Sequence, residues 1–140
     1  MKLCRIGNFG VEKPALIDNE NNYRDLSSII KDLDSLTLNF ETLEKLKNID
    51  LKSLPILDKS SRIGACVSNP SKFIGIGLNF KDHALEQNLP IPKEPIIFSK
   101  FTNCICGPND DIEVPKNSNH TDWEVELGFV IGKKAKYVSE

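Results

Sequence analysis

The pattern of apolar residues after residue 70 constrains the fold more than any other feature of the sequence. Short apolar segments of strand length, such as residues 72–77 and 95–98, are separated by turns that contain glycine or proline. No β-α-β alternation is evident in this part of the chain. We therefore expect it to form a mixed, β-rich roll or barrel.

The residues before 70 follow a different pattern, in which strand and helix periods both occur. Residues 2–6 and 13–17 alternate polar and apolar side chains, which predicts two strands in a hairpin or meander. Residues 25–33 have apolar positions at helical spacing, with Asp25 near the N-cap, and residues 37–48 repeat this pattern. Two short amphipathic helices are expected here.

The connector at residues 51–69 is irregular and is expected to contain a domain boundary. The sequence thus predicts an α+β protein with an N-terminal domain and linker at 1–68 and a second domain at 69–140. Within the second domain we predict a short helix in residues 79–88. Two further strands are predicted there, at residues 112–114 and 123–131.

Composition excludes several classes of protein. The 140 residues carry 18 basic and 20 acidic side chains, and this net charge of −2 argues against binding to nucleic acid. No apolar run approaches the roughly 18–20 residues that span a bilayer, so no membrane partner is expected. The N-terminus has no signal-peptide pattern, which favours a cytoplasmic protein. Its four cysteines (Cys4, Cys66, Cys104 and Cys106) are then expected to be reduced, partly buried thiols.

Two glutamates in the segment 123–131 form a candidate metal site. Glu124 and Glu126 fall on the same face of a strand, with their Cα atoms about 6.5–7 Å apart. Two carboxylates at that spacing can converge on a hard divalent cation such as Mg²⁺. The alternative is a solvated face of a half-buried strand, and spacing alone favours that alternative.

His83 and Glu86 form a candidate general base. At helical spacing of three residues they share a face, and a carboxylate beside an imidazole raises its basicity toward water. An exposed helix pair without chemical function is the alternative.

Three other features are weaker. Gly75 and Gly77 follow a strand, but the missing third glycine makes close approach to a ligand or a neighbouring strand a better explanation than nucleotide binding. Lys100 at a strand end could bind an anionic group, or could simply be solvated. His120 lies four residues before Glu124, but a strand would not bring the two together.

Several segments together resemble the fumarylacetoacetate hydrolase family. They are residues 73–86 (FIGIGLNFKDHALE), 94–100 (EPIIFSK), 107–110 (GPND) and 122–132 (DWEVELGFVIG). Their order and spacing are similar to the family's over about residues 70–140. The N-terminal residues resemble the branch of bacterial 2,4-diketo-3-deoxy-sugar-acid hydrolases of the L-fuconate and L-rhamnonate pathways.

The resemblance implies a mixed β-roll catalytic domain that uses Mg²⁺ or Mn²⁺ to cleave a carbon–carbon bond beside a 1,3-dicarbonyl. It implies that Glu124 and Glu126 bind the metal, that His83 and Glu86 on a lid helix activate water, and that Lys100 and Asn79 contact an oxo-acid substrate. A homodimer is expected for the full-length protein. Related isomerase or oxaloacetate decarboxylase activities, or a non-catalytic interaction protein that pairs through exposed strand edges, are the alternatives.

The resemblance also implies a third metal ligand, an aspartate roughly thirty residues after Glu126. The sequence ends at Glu140, before that position. We therefore expect an N-terminal fragment whose catalytic domain is truncated and which is inactive alone.

Overall fold

The computed structural model describes residues 1–139, which form a mixed, β-rich fold. Its two compact units are Met1–Ser68 together with the chain from Cys106 onward, and Asn69–Ile105. The described residues contain six strands, two α-helices and two short 3₁₀ helices. The predicted domains, 1–68 and 69–140, stay a prediction.

A four-stranded antiparallel sheet forms the centre of the first unit. Its strands β1 (Lys2–Ile6), β2 (Lys13–Ile17), β3 (Tyr23–Asp25) and β4 (Ile56–Leu57) pair in chain order. The two predicted strands and the meander are confirmed, and three consecutive residues of each strand are buried, so both faces of the hairpin are covered. The pairing of β4 with β3 lies in the segment that we expected to be irregular, so that expectation is wrong for residues 56–57.

Helix α1 (Phe40–Lys47) packs on the sheet. Its one buried residue is Leu46, which is 1% exposed. The Asn39 side chain caps the helix by accepting a hydrogen bond from the Thr42 N–H, so the helix begins three residues later than predicted. Leu46 joins a core cluster of buried aliphatic residues, which also contains Leu16, Leu26, Ile30 and Leu33.

The predicted helix at residues 25–33 is wrong. Asp25 ends β3, where it pairs with Ala15, and its side chain accepts the Ser27 N–H to start a single turn. Asp32 then accepts the N–H of Leu33 through its side chain, in place of a helical carbonyl. The apolar spacing therefore predicted buried residues correctly and the backbone conformation incorrectly.

The second unit is a β-hairpin with a helix in its connection. Strands β5 (Phe73–Gly77) and β6 (Ile96–Lys100) pair antiparallel, and α2 (Lys81–Glu86) lies between them in the sequence. A 3₁₀ turn, Thr102–Cys104, follows. The predicted strands and the short helix of this segment are confirmed, although α2 is shorter than the range 79–88.

The predicted strands at 112–114 and 123–131 are absent from the described residues. Both segments are irregular and exposed, and Trp123, Leu127 and Ile131 are all more than two-thirds exposed. A strand requires hydrogen bonds to a neighbouring strand, and no described segment pairs with either of these.

The cysteines also differ from expectation. Cys4 is buried, and burial raises the pKa of its thiol to about 11, because the thiolate loses its hydration. Cys66, Cys104 and Cys106 are free and exposed, so the prediction of partly buried thiols is wrong for these three. Among residues 1–139, no helix has the length and apolar character needed to cross a membrane.

Candidate functional site

The candidate general base lies on helix α2. The left-handed backbone at Leu78 (φ 47°) ends β5 and leads through the exposed Asn79 into the helix. Ala84 is fully buried and fixes one face of α2, which leaves His83 half-buried and Glu86 exposed. The imidazole is thus held on a short helix while one side remains open to solvent.

The imidazole contacts a residue that the sequence analysis did not identify. The side-chain nitrogen Nε2 of Gln87 lies 2.8 Å from Nε2 of His83. No hydrogen bond joins His83 to Glu86 in the described part of the chain, so their pairing stays a prediction. The signal for Gln87 was its spacing of four residues from His83, which places the two on one helix face.

Lys100 is the last residue of β6 and is exposed. Its ammonium lies over two aromatic rings, 5.7 Å from the centre of Phe73 and 6.0 Å from that of Phe98. Asn79, His83, Glu86 and Lys100 all belong to the second compact unit. This unit therefore combines an imidazole, a carboxylate, an amide and a cation.

Glu124 and Glu126 lie in the first unit, in an exposed and irregular segment. No group of three or more His, Cys, Asp or Glu side chains that could hold a metal ion occurs in residues 1–139. Two carboxylates leave a divalent cation short of protein ligands, so these residues alone do not fit a metal site. His120 is also exposed.

An ion pair of the first unit was not predicted from the sequence. Arg62 binds Asp110 with two hydrogen bonds of 2.6 Å, from Nε and Nη2, across 48 residues of sequence. Asp110 also accepts the Gly107 N–H at 2.6 Å. The hydrogen bonds from Arg62, and then that from Gly107, hold the pKa of the Asp110 carboxyl below its ordinary value.

Glu12 extends this pair into a network. Its carboxylate is 4% exposed and accepts hydrogen bonds from Arg62 at 2.9 Å and Arg5 at 3.2 Å. Burial alone would raise the pKa of Glu12, but the two guanidinium groups hold it below its ordinary value. Arg5 in turn binds both oxygens of Asp32, at 2.7 and 3.0 Å. The network thus connects five charged residues of the first unit.

No local signal identified these partners, because Arg62 lies in a connector that contains four serines and Asp110 lies in a turn. Both residues line a pocket of about 640 Å³, together with Tyr23, residues 59–61 and 63, Asn109 and Asp111. None of the sequence-predicted site residues lines this pocket. The network and this pocket therefore do not include the candidate catalytic residues.

Comparison with known proteins finds a family that the second half of the chain resembles. The family described as fumarylacetoacetate (FAA) hydrolase C-terminal matches residues 72–140. This segment is similar to that family domain over 69 of the 140 residues. The matched segment contains Asn79, all of α2, Lys100 and both candidate metal ligands.

Relatives match over the whole chain and not only over residues 72–140. A Burkholderia orbicola protein and a Burkholderia cenocepacia protein are each 53% identical over 140 residues, and a Burkholderia multivorans protein is 51% identical. All three have names that begin "putative hydrolase". The match covers 100% of this chain and 50% of each relative, so the chain spans about half the length of the relatives it matches.

Proposed function

We propose that this chain is part of an enzyme that hydrolyses a carbon–carbon bond in a 2,4-dioxo acid. The substrate class is a 2,4-didehydro-3-deoxy-sugar acid, and the products are pyruvate and a smaller hydroxy acid. The observation that carries the proposal is the FAA hydrolase match over residues 72–140, supported by relatives named as hydrolases. A β-roll catalytic domain, a cytoplasmic location and a homodimer of the whole protein belong to the same proposal.

The proposed chemistry requires a base, a water molecule and a group that binds the substrate anion. His83 accepts a proton from water, and the hydroxide attacks the carbonyl carbon distal to the carboxylate. The bond between that carbon and the neighbouring methylene then breaks, and its electron pair forms the pyruvate enolate, which is protonated to pyruvate. Glu86 orients the imidazole, while Asn79 and Lys100 bind the oxo-acid end.

The contact between Gln87 and His83 affects when the imidazole can act as a base. The amide of Gln87 lies on Nε2 of the imidazole, at 2.8 Å. For this nitrogen to take a proton from water, the water must replace the amide. This replacement of the amide by water takes place on one exposed face of α2, because Gln87 is itself exposed.

Glu124 and Glu126 are proposed as two ligands of a Mg²⁺ or Mn²⁺ ion, and we assign no chemical step to that ion. Because residues 1–139 provide no third ligand beside them, the chain alone should bind Mg²⁺ no better than the variant Glu124→Gln/Glu126→Gln. Calorimetric titration with MgCl₂ measures this. Tight binding that both substitutions abolish would show that the pair is sufficient as a site.

The direct test is pyruvate release, measured with a lactate dehydrogenase coupled assay. We expect none from the purified chain alone. In a chimera, residue 140 would be followed by the part of the Burkholderia orbicola relative that comes after its matched half. This chimera should release pyruvate from a 2,4-dioxo acid. Pyruvate release by the unfused chain would contradict its expected inactivity, and an inactive but folded chimera would count against the proposed reaction.

The chain offers a matched control for the base, since it has two histidines. In the chimera, His83→Ala should reduce kcat by about 10²–10⁴-fold, the usual contribution of a general base. His120→Ala changes an exposed imidazole outside α2 and should leave kcat unchanged. Equal rates for both variants would exclude His83 as the base. Assays with oxaloacetate and with an isomerisable oxo acid would detect the decarboxylase and isomerase alternatives.

A further inference from the structure

The pairing of β5 with β6 places Lys100 beside two aromatic rings on one face of the hairpin. Phe73 lies directly opposite Lys100, and Gly75 lies directly opposite Phe98. Phe98 and Lys100 are two residues apart on the same strand, so their side chains project from the same face. The register therefore brings the ammonium beside the rings of both Phe73 and Phe98.

Gly75 provides the space that the Phe98 ring occupies. A Cβ atom at Gly75 would lie 2.5 Å from Cζ of Phe98 and within 3 Å of two more ring atoms. The backbone of Gly75 is not in the left-handed region, which among the glycines is adopted by Gly7 and Gly10. The side chain of Phe98, and not the backbone conformation, therefore explains why this position lacks a Cβ atom.

We propose that Phe98, seated over Gly75, acts with Phe73 to position the ammonium of Lys100 for an anionic substrate group. The inference rests on the proposed function, in which Lys100 binds the oxo-acid carboxylate. A lysine ammonium has a flexible four-carbon stem, and the faces of aromatic rings attract it electrostatically. Two ring faces on one side restrict that stem and leave the opposite side of the ammonium open to an anion.

The first test is the chemical shift of the Lys100 ε-methylene protons in the full chain, measured by NMR with lysine isotope labelling. Ring currents should displace this signal upfield from the position of an exposed lysine. Phe98→Leu should return the signal toward that position because it removes one ring. Phe98→Tyr should preserve the displacement, because it retains the ring face.

Gly77, on the same face of β5, provides a matched control for Gly75. Gly75→Ala should displace the Phe98 ring and change the Lys100 signal. In Gly77→Ala the new Cβ atom would be 3.3 Å from Ile96 Cγ2, remote from Lys100 in the ladder, and the signal should stay. Backbone amide spectra of residues 69–105 check folding, and Phe98→Leu still tests the proposal if Gly75→Ala does not fold. An undisplaced wild-type signal, or one that Phe98→Leu does not change, overturns the proposal.

The second test uses pyruvate as the anionic probe, with sodium chloride at equal ionic strength as the reference. Pyruvate should shift the Lys100 signal, and its apparent affinity should be about two- to fivefold weaker in Phe98→Leu than in the wild type. Equal affinity in both overturns the proposal. If the Lys100 signal depends on the rings but does not respond to pyruvate, the result supports positioning of Lys100 by the rings. The same result rejects Lys100 as the anion-binding residue of the proposed function.

Discussion

At the scale of single residues, Gly107 shows how closely two distant parts of the first unit approach. A Cβ atom at this buried position would lie 2.2 Å from the backbone carbonyl oxygen of Ile63. Gly107→Ala should therefore destabilise the chain by roughly 1–3 kcal/mol, because a backbone atom must move. Urea unfolding measures the change. Gly128→Ala is the control, since nothing lies within 4 Å of its added carbon, and equal effects would contradict the packing described here.

Asp110 makes a second prediction at this scale, for pH. Because Arg62 lowers its folded-state pKa below the ordinary value of 3.8, the pair stabilises the fold fully above that value. This stabilisation is lost as the pH falls through the lower folded-state value. Urea midpoints from about pH 7 to about pH 3 should thus fall less steeply in Asp110→Asn than in the wild type, from a lower starting value. Asp111→Asn, an exposed neighbour, should retain the wild-type slope.

At the scale of secondary-structure elements, α1 provides a test of which face packs on the sheet. Helical spacing puts Phe40, Leu43 and Leu46 on one face of α1, but Phe40 is 67% exposed and Leu46 is 1% exposed. Leu46→Ala should cost about 2–5 kcal/mol, as expected for a buried leucine. Phe40→Ala should stay within about 0.5 kcal/mol, as expected for a surface position. A larger loss for Phe40→Ala in urea unfolding would contradict this orientation.

Local patterns predicted most elements, because β1, β2, β5, β6 and both helices have their signals within a few residues. The failures have one physical origin, which is that a non-local partner decides the outcome. The side chains of residues 123–131 alternate in the pattern of a strand. This alternation does not supply a neighbouring strand for the backbone hydrogen bonds. Asp25 has the side chain of an N-cap, but pairing with Ala15 retains it in β3.

The same reasoning applies to the candidate site. His83, Glu86 and Lys100 could be located because a short helix and a strand end determine their surroundings. Arg62 and Asp110 could not be paired, since 48 residues separate them. The rings beside Lys100 required the register of β5 on β6, which the sequence did not define.

At the scale of the whole molecule, burial is unevenly distributed along the chain. The buried hydrophobic residues lie between Cys4 and Leu46, with Ala84 as the exception. Most large apolar side chains after residue 72 are exposed, including three isoleucines of the hairpin, Ile74, Ile76 and Ile97. Apolar patches of this kind promote association.

We therefore expect the chain to self-associate as its concentration rises, which size-exclusion chromatography with light scattering measures. Ile97→Lys, at a position that is 68% exposed, should reduce the association. Leu36→Lys, at an 80% exposed position in the first unit, should reduce it less. A chain that remains monomeric at all concentrations would contradict the expectation.

The bond between Arg62 and Asp110 has a consequence for chain topology. The chain leaves the first unit after Ser68 and rejoins it at Cys106, and the backbones at Ile63 and Gly107 already touch. In the sequence, residues 69–105 are thus an insertion between two parts of the first unit, and a bidentate ion pair joins those two parts. The cost of closing a loop grows only slowly with its length, so the first unit can tolerate an insert of very different size between the same two ends.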